Sequence, residues 1–262
     1  MSLLSVTSLT VRAAGRTLVD DLSFDLDAGQ RLGLIGESGS GKSVTSLAVT
    51  GLLGAGLEPS GSVLLDGVEI VGAREKSIVP LRGRVASVVF QEPLTALDPL
   101  MRIERQVAEP IARHRGLRGA ALRTAVREAL DEVSLDDARI GRAYPHEISG
   151  GQRQRAAIAI ALGSRPRLLI ADEPTTALDV TVQAQVLRLL DDLVAARGMA
   201  LLFISHDLAV VSAMTRDVIV MRQGVAVERG PVASILSAPA DPYTADLVRS
   251  ARSLDAMLGE TS

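Results

Sequence analysis

Cysteine and tryptophan are absent from this 262-residue chain, which has three phenylalanines, two tyrosines and three histidines. The absence of cysteine excludes disulfides, iron–sulfur clusters and thiolate zinc sites. His114, His146 and His206 lie too far apart in sequence to form a local metal motif. No apolar run reaches the roughly 18 residues of a membrane span, and the first residues lack the basic segment of a signal peptide. We therefore expect a cytoplasmic protein that meets a membrane only through a partner.

An excess of charge of one sign is also lacking. The formal net charge is −3, and the acidic and basic residues are interspersed. This distribution disfavours a nucleic-acid partner. With 47% hydrophobic residues the chain can bury a sizeable core, either as one large domain or as a domain with an embedded subdomain.

Two kinds of strand pattern predict an α/β fold. Half-buried strands are predicted at residues 3–11, 22–26 and 61–70, and Asp66-Gly67 is a hairpin-turn signal within the last of them. Near-continuous apolar strands, typical of a parallel sheet covered on both faces, are predicted at residues 31–36, 85–91, 167–172, 200–205 and 217–221.

Between the second and third of these apolar strands the pattern becomes helical. Residues 121–133, for example, combine helical periodicity with alternating charge. This indicates a helical insertion within an α/β core. A proline-containing bend at residues 237–244 precedes a predicted final helix near residues 245–258.

A glycine-rich segment, GESGSGKS, lies between a predicted strand and a predicted helix. It matches G-x-x-x-x-G-K-[ST] in the context that this motif requires. The glycines let backbone N–H groups turn around phosphate oxygens, and the helix that follows adds its partial positive charge. Lys42 would reach the β and γ phosphates, and Ser43 would hold Mg²⁺ through its hydroxyl. The predicted nucleotide-binding residues are Gly36, Glu37, Ser38, Gly39, Ser40, Gly41, Lys42, Ser43 and Val44.

Two acidic residues follow the apolar strand at residues 167–172. Asp172 ends the strand, where ligands collect in open α/β sheets, and is suited to hold Mg²⁺ through water. Glu173 can polarise an attacking water as a general base. Alone, such a pair is more often a helix N-cap or a solvated turn. Beside a phosphate loop in the same chain, the catalytic interpretation is favoured.

The segment ISGGQRQR, which begins at Ile148, predicts a second helix start with exposed N–H groups. Ser149 is suited to cap a helix that starts around Gly151 and runs to Leu162. This N-terminus is a second candidate anion site. Alone, the segment favours the alternative, a capped helix with no ligand.

Together these motifs resemble the nucleotide-binding subunit of an ABC transporter, in the family's order and over nearly the whole chain. GESGSGKS is similar to Walker A, Gln91 to the Q-loop glutamine, ISGGQ to the signature and LLIADE to Walker B. The resemblance implies catalytic roles for Glu173, His206 and Gln91, with Asp179 in the D-loop at Ala177 to Asp179. It also implies Mg²⁺ ligation by Ser43, Gln91 and, through water, Asp172. The signature residues that it places on a partner's nucleotide are Ser149, Gly150, Gly151 and Gln152.

The same resemblance implies a fold: a P-loop NTPase (RecA-like) core with an N-terminal antiparallel β-subdomain and an inserted helical subdomain. The ATPase domain is then expected over residues 1–250, with the helical subdomain at about 95–160 and a C-terminal tail at 251–262. ATP and Mg²⁺ are the implied cofactors. Two cassettes, two copies or a pair of paralogues, would close face to face around ATP, and closure would drive transmembrane permease subunits that dock near residues 91–101.

Four further segments resemble the dipeptide, oligopeptide and nickel importer branch: FQEPLTALDP, YPHEISGGQRQR, ADEPTTALDVTVQAQVL and DPYT. This implies import of peptides or a related small solute, with an extracytoplasmic solute-binding protein as an indirect partner. The expected location is the cytoplasmic face of the cell membrane, as a peripheral subunit. A non-transport ABC ATPase, acting in DNA repair or on the ribosome, is the alternative.

The chain departs from the family's pattern in two places. Family members usually stack the adenine on an aromatic residue, but the segment VRAAGRTLVD provides only Val11, Arg16 and Leu18. We therefore expect weak discrimination between ATP and GTP. The branch often carries a cysteine-containing C-terminal extension, and this chain contains no cysteine.

Overall fold

The structure is a computed structural model that describes residues 2–91, 96–176 and 178–259, with side chains up to residue 251. It divides into two compact units. The first comprises Met1–Ile78 and Leu201–Ser262, and the second comprises Val79–Ala200.

The elements are numbered along the chain. In the first part they are β1 (Leu4–Ala13), β2 (Arg16–Leu26), β3 (Arg31–Ile35), α1 (Lys42–Val49), β4 (Leu57–Leu65), β5 (Val68–Glu69), α2 (Glu75–Ile78) and β6 (Ala86–Val89). Next come α3 (Ile103–Arg115), α4 (Gly119–Asp131), α5 (Ala138–Arg142), a 3₁₀ turn (Pro145–Glu147), α6 (Gly150–Gly163) and β7 (Leu168–Asp172). The last are α7 (Val180–Arg197), β8 (Ala200–Ser205), α8 (Leu208–Met214), β9 (Asp217–Arg222), β10 (Val225–Pro231), α9 (Val232–Ser237) and α10 (Pro242–Gly259).

An antiparallel sheet in the first unit has the strand order β2-β1-β4-β5. Its strands include all three of the half-buried segments that the sequence predicts. Asp66 and Gly67 have φ values of 51° and 77°, and Leu65 pairs with Val68, so the predicted hairpin turn is confirmed. Leu4 and Val6 of β1 are buried, and after a register shift between Val6 and Leu9 the buried residues are Leu9 and Val11.

A second sheet of the first unit is built on β3. Parallel strands flank it, β8 on one side and β9 on the other, and β10 pairs antiparallel with β9. Leu34 in β3 and Phe203 in β8 are fully buried, as the continuous apolar pattern predicts. The β3–β8 register pairs Ile35 with Ser205, so both strands end at the same edge of the sheet.

The second unit contains a parallel pair, β6 and β7, in which Val89 pairs with Ala171. Within residues 96–166 the structure contains helices and no strand, as the sequence predicts. The predicted helix at residues 121–133 is α4, which begins and ends two residues earlier. Helices α3 and α6 pack against each other, and their apolar residues Val107, Ile111 and Ile158 are fully buried.

Among the described residues, none of the helices combines the length and the apolar character needed to cross a lipid bilayer.

Candidate functional site

The phosphate loop, residues 36–41, connects β3 to α1. Gly41 is the N-cap of α1, and within the described residues no side chain caps this helix. The first turn of α1 also contains no acidic residue of its own that would offset the positive end of the helix dipole. The loop therefore presents backbone N–H groups and partial positive charge, the features that bind anions.

Gly36 begins the loop in a position that admits no side chain. A Cβ atom there would lie 2.1 Å from the Met221 carbonyl oxygen and 2.6 Å from Ser40 Oγ. The first of these neighbours is backbone of β9 and cannot turn away. This close approach explains the glycine at the start of the motif.

Lys42 is buried, with 4% of its surface exposed, and its ammonium lies over the loop. Nζ donates to the Gly36 carbonyl at 2.7 Å and to the Glu37 carbonyl at 2.9 Å. Because charged groups are rarely buried unless paired, these carbonyls stabilise the cation inside the loop. A buried cation beside a helix N-terminus is suited to bind a polyanion such as a nucleotide phosphate chain.

Two other segments of the first unit hold the loop from outside. The N–H of Gly224, in the β9–β10 turn, donates to the Ser40 carbonyl at 3.1 Å. The hydroxyl of Tyr243, at the start of α10, accepts the Glu37 N–H at 2.9 Å. Sequence reasoning missed both residues. For Tyr243 the available signal was the DPYT segment, which indicated a family branch but not a contact with the loop.

His206 follows β8 directly, at the sheet edge where β3 leads into the phosphate loop. Its side chain is exposed. The next residue, Asp207, caps α8 by accepting the Ala209 N–H at 2.8 Å. The structure therefore brings His206 and the phosphate loop to one edge of the same sheet.

The predicted acidic pair lies in the second unit at the end of β7. Asp172 is buried at 5% exposure, and Glu173 follows it with φ of 48°. A positive φ is uncommon for a residue other than glycine and is found most often in turns or at functional sites. Glu173 Oε2 accepts a hydrogen bond from the Thr176 hydroxyl at 3.0 Å. Gln91 is exposed and follows β6, the parallel neighbour of β7, so both strands deliver polar residues to one edge.

The start of α6 has the predicted cap. Ser149 Oγ accepts the Gln152 N–H at 3.3 Å, and Gln152 Oε1 accepts the Ser149 N–H at 2.9 Å, which is a capping box. Gly151 packs against α7, because a Cβ there would lie 2.6 Å from Val182 Cγ1. Asp179 caps α7 by accepting the Val182 N–H at 3.0 Å. The predicted signature and D-loop residues are therefore neighbours, although Ala177 lies outside the described residues.

The predicted site residues thus fall into two sets. The first unit contains the nucleotide-binding residues and His206, and the second contains Gln91, Asp172, Glu173, Asp179 and the signature residues. Among the residues that the structure describes, no three His, Asp or Glu side chains form a metal cluster. The predicted Mg²⁺ ligands Ser43, Gln91 and Asp172 are hydroxyl, amide and carboxylate oxygens, the donor types that Mg²⁺ prefers.

Residues 19–176 match a family model described as ABC transporter. The chain is 47% identical over 253 residues to the peptidoglycan transport ATP-binding protein YejF of Agrobacterium fabrum, and 45% identical over 241 residues to the oligopeptide transport ATP-binding protein OppD of Salmonella typhimurium. These alignments cover 94% and 91% of this chain, but 46% and 72% of the two relatives. The chain therefore spans about half the length of the first relative.

A solved structure is also similar. It is the dimeric structure of a post-hydrolysis state of the ATP-binding cassette MJ0796 bound to ADP and Pi. The TM-score is 0.78 at 25% identity, and the alignment covers 87% of this chain and 98% of the cassette.

Proposed function

Because the chain belongs to the ABC transporter family as an ATP-hydrolysing, ATP-binding domain, we propose that it powers import of peptides or a related small solute through a membrane permease. The observation that carries the proposal is the phosphate loop, with Lys42 buried over it and helix α1 starting behind it. The names of the two relatives, which refer to peptidoglycan and oligopeptide transport, support the cargo class and favour a transporter over a DNA-repair or ribosomal ATPase.

In this proposal the residues from Gly36 to Val44 bind the ATP phosphates. Backbone N–H groups of the loop and of the first turn of α1 surround the phosphate oxygens. The Lys42 ammonium keeps its bond to the Gly36 carbonyl, which positions it, and exchanges its bond to the Glu37 carbonyl for a bond to phosphate. An anionic acceptor makes the stronger hydrogen bond, which favours this exchange.

Mg²⁺, when bound, would neutralise charge on the β and γ phosphates. We assign the Ser43 hydroxyl and Gln91 as its ligands, and Asp172 as a ligand through water. The buried position of Asp172, at the end of β7, suits a carboxylate that pairs with a cation.

Hydrolysis requires a group that orients and deprotonates water. We assign this role to Glu173, which follows Asp172 at the end of β7. Its carboxylate accepts a hydrogen bond from the Thr176 hydroxyl. His206 is assigned to contact the γ phosphate, and its exposed position at the phosphate-loop edge of its sheet supports this. Gln91 would orient the attacking water. Through the neighbouring segment that is assigned to the permease, it would also couple the nucleotide site to the permease.

The signature residues at the start of α6, acting through their backbone N–H groups, and Asp179 are assigned to a nucleotide held by a second cassette. The dimeric arrangement of the similar cassette supports this assignment. The partner is a second copy of this chain or a paralogue. A preformed, capped helix start presents backbone N–H groups to the partner's phosphates without folding on contact.

The permease is assigned to the segment around residues 91–101, of which residues 92–95 lie outside the described part of the chain. Leu100, within this segment, is 87% exposed and is therefore accessible to a partner. In this arrangement the chain is a peripheral subunit at the cytoplasmic face of the membrane, and a solute-binding protein on the opposite side delivers the cargo.

Glu173→Gln tests the enzymatic part of the proposal. ATP binding should persist while turnover falls by about 10² to 10⁴-fold, the usual effect of losing a general base. Asp172→Asn should instead weaken Mg²⁺-dependent binding. Glu109→Gln, an exposed carboxylate on α3, is the matched control and should leave turnover unchanged. Near-normal turnover in Glu173→Gln would show that the base is a different residue.

Purification from solubilised membranes tests the transport part. The full chain should copurify with integral membrane subunits, and Leu100→Asp should reduce their recovery without reducing ATP binding. Recovery of ribosomes or of DNA-repair proteins, with no membrane subunit, would favour the non-transport alternative.

A further inference from the structure

We infer that Tyr243 is a positioning residue for the phosphate loop: its hydroxyl fixes the peptide between Gly36 and Glu37, and that peptide in turn fixes the Lys42 ammonium. The inference rests on the proposed role of this loop in binding nucleotide. The start of α10, although distant in sequence from the loop, then contributes to the affinity for ATP.

The geometry of one peptide group carries the inference. In a trans peptide the C=O and the N–H point in opposite directions. At the peptide joining Gly36 to Glu37, the N–H donates to the Tyr243 hydroxyl at 2.9 Å, and the C=O accepts from Lys42 Nζ at 2.7 Å. The phenol and the ammonium therefore hold the same group from opposite ends. A hydrogen bond at the N–H also polarises the C=O and strengthens its bond to the ammonium.

Tyr243 is itself held in place by several contacts. It is 6% exposed, and the Arg222 guanidinium lies 5.0 Å from its ring centroid. The Tyr243 N–H donates to Asp241 Oδ1 at 2.8 Å. The carboxylate of Glu228, on β10, accepts the N–H groups of Ala240 and Asp241 at 2.9 and 3.1 Å. The segment before α10 is therefore attached to β10, and the phenol approaches the loop from a fixed support.

The chemistry of the phenol suits a permanent acceptor. Burial raises the pKa of Tyr243 and outweighs the opposing effect of the Glu37 N–H. The hydroxyl therefore stays neutral at physiological pH, and its oxygen accepts the loop N–H without placing an anion beside the phosphates. Phenylalanine preserves the buried ring but provides no acceptor, so the Glu37 N–H would lose its partner.

Tyr243→Phe is the direct test. The affinities for ATP and ADP should both fall by about tenfold, because an N–H without an acceptor lets the peptide rotate away from Lys42. Turnover at saturating ATP should change by less than about twofold, so the effect is on KM and not on kcat. Tyr144→Phe, which removes the hydroxyl of the other tyrosine, should bind both nucleotides like the wild type.

A second measurement does not depend on the folding of Tyr243→Phe. The chain has two tyrosines and no tryptophan, so Tyr144→Phe leaves Tyr243 as its single tyrosine fluorophore. Titration of this variant with ADP should change the emission in proportion to occupancy, because the bound phosphates place negative charge beside the loop peptide that the phenol holds.

Unchanged affinities in folded Tyr243→Phe, or unresponsive emission from the single-tyrosine protein that binds ADP, would overturn the inference. A wild-type chain that binds neither ATP nor ADP would overturn the proposed function instead, so the two failures are distinguishable.

Discussion

Helices α1 and α6 both begin after glycine-rich segments, but their first turns are stabilised in different ways. At α1 the N-cap is Gly41, no described side chain serves as a cap, and the buried Lys42 ammonium bonds to loop carbonyls. At α6 the N-cap is Ser149, which exchanges two hydrogen bonds with Gln152. One start is held by backbone and by a cation, and the other by its own side chains.

This difference indicates what each helix start can do. An N-terminus without a side-chain cap leaves its N–H groups for water or a ligand, so α1 gains stability when an anion binds. At α6 the Ser149 side chain accepts the N–H of Gln152. The N–H groups of the two glycines before Gln152 have no partner within the helix. We therefore expect α1 to provide most of the affinity for phosphate, and α6 to provide a rigid surface for a nucleotide bound elsewhere.

The largest expected effect comes from two variants, each of which disrupts one of the two helix starts. Lys42→Ala removes the phosphate cation, and Ser149→Arg places a bulky side chain at the α6 start. Each variant alone should lose all measurable ATP hydrolysis. A mixture of the two should recover partial activity, because one of the two composite sites in a mixed dimer is then intact. Steady-state hydrolysis against mixing ratio is the measurement.

The control for mixing is the concentration dependence of the wild type. A shared site requires activity that falls faster than linearly on dilution. No recovery on mixing, with wild-type activity linear in concentration down to about nanomolar levels, would contradict the shared site. A wild-type chain that is inactive until another cassette is added would identify the partner as a paralogue, and the same mixture would then be made across the two chains.

A smaller effect on stability is expected when alanine replaces either of two glycines, Gly36 at the phosphate loop or Gly151 at the start of α6. Gly36→Ala should cost about 3 kcal/mol or more and abolish nucleotide binding, because its Cβ meets the backbone carbonyl of Met221 at 2.1 Å. Gly151→Ala should cost about 1 kcal/mol, because it meets a side-chain methyl of Val182 and alanine favours the helix. Denaturant unfolding measures both costs.

The double variant Gly151→Ala/Val182→Ala sharpens this comparison. It should be more stable than the sum of the two single changes predicts, since the methyl that obstructs the new Cβ is gone. Additive costs would mean that Gly151 is required for a reason other than its contact with α7.

Much of this comparison was predictable from the sequence, because local rules decide it. The cap at Ser149, the strand–loop–helix around Lys42 and the turn at Asp66-Gly67 each depend on a few adjacent residues, and all three are confirmed. The parallel strands were predictable for a similar reason: burial on both faces requires an unbroken apolar run, as in Leu201 to Ile204.

The features that sequence reasoning missed depend on distant partners. Strand β10 has the sequence VAVERGP, and it is half-exposed, so it shows no continuous apolar run. It exists because β9 provides a partner after the turn at Gly224. The bond between Glu37 and Tyr243 joins residues 206 positions apart, and no local pattern encodes such a contact.

The choice of nucleotide tests whether the α1 region recognises phosphates alone. Val11 is fully buried and cannot contact a base, and no aromatic residue occurs from Val11 to Asp20. Competition binding should give an ATP preference over GTP of less than about tenfold, or about 1.4 kcal/mol. A preference beyond about 100-fold would show that another group recognises adenine, and the affinity would then not come mainly from the loop.

The smallest expected effect concerns the cap at α6, which α1 lacks. Ser149→Ala removes the acceptor of a rather long bond, 3.3 Å, while the bond from the Ser149 N–H to Gln152 Oε1 uses backbone and survives. The free energy of unfolding should therefore fall by about 0.5–1 kcal/mol, at the low end for a lost cap, and Ser149→Thr should restore most of it.

Because the backbone N–H groups of the two glycines are unchanged, KM for ATP should stay within about twofold. Urea unfolding and steady-state kinetics on the same three proteins provide the comparison. Unchanged unfolding together with a large loss of turnover would mean that the Ser149 hydroxyl acts on the nucleotide rather than on its own helix, and the contrast between the two helix starts would then be wrong.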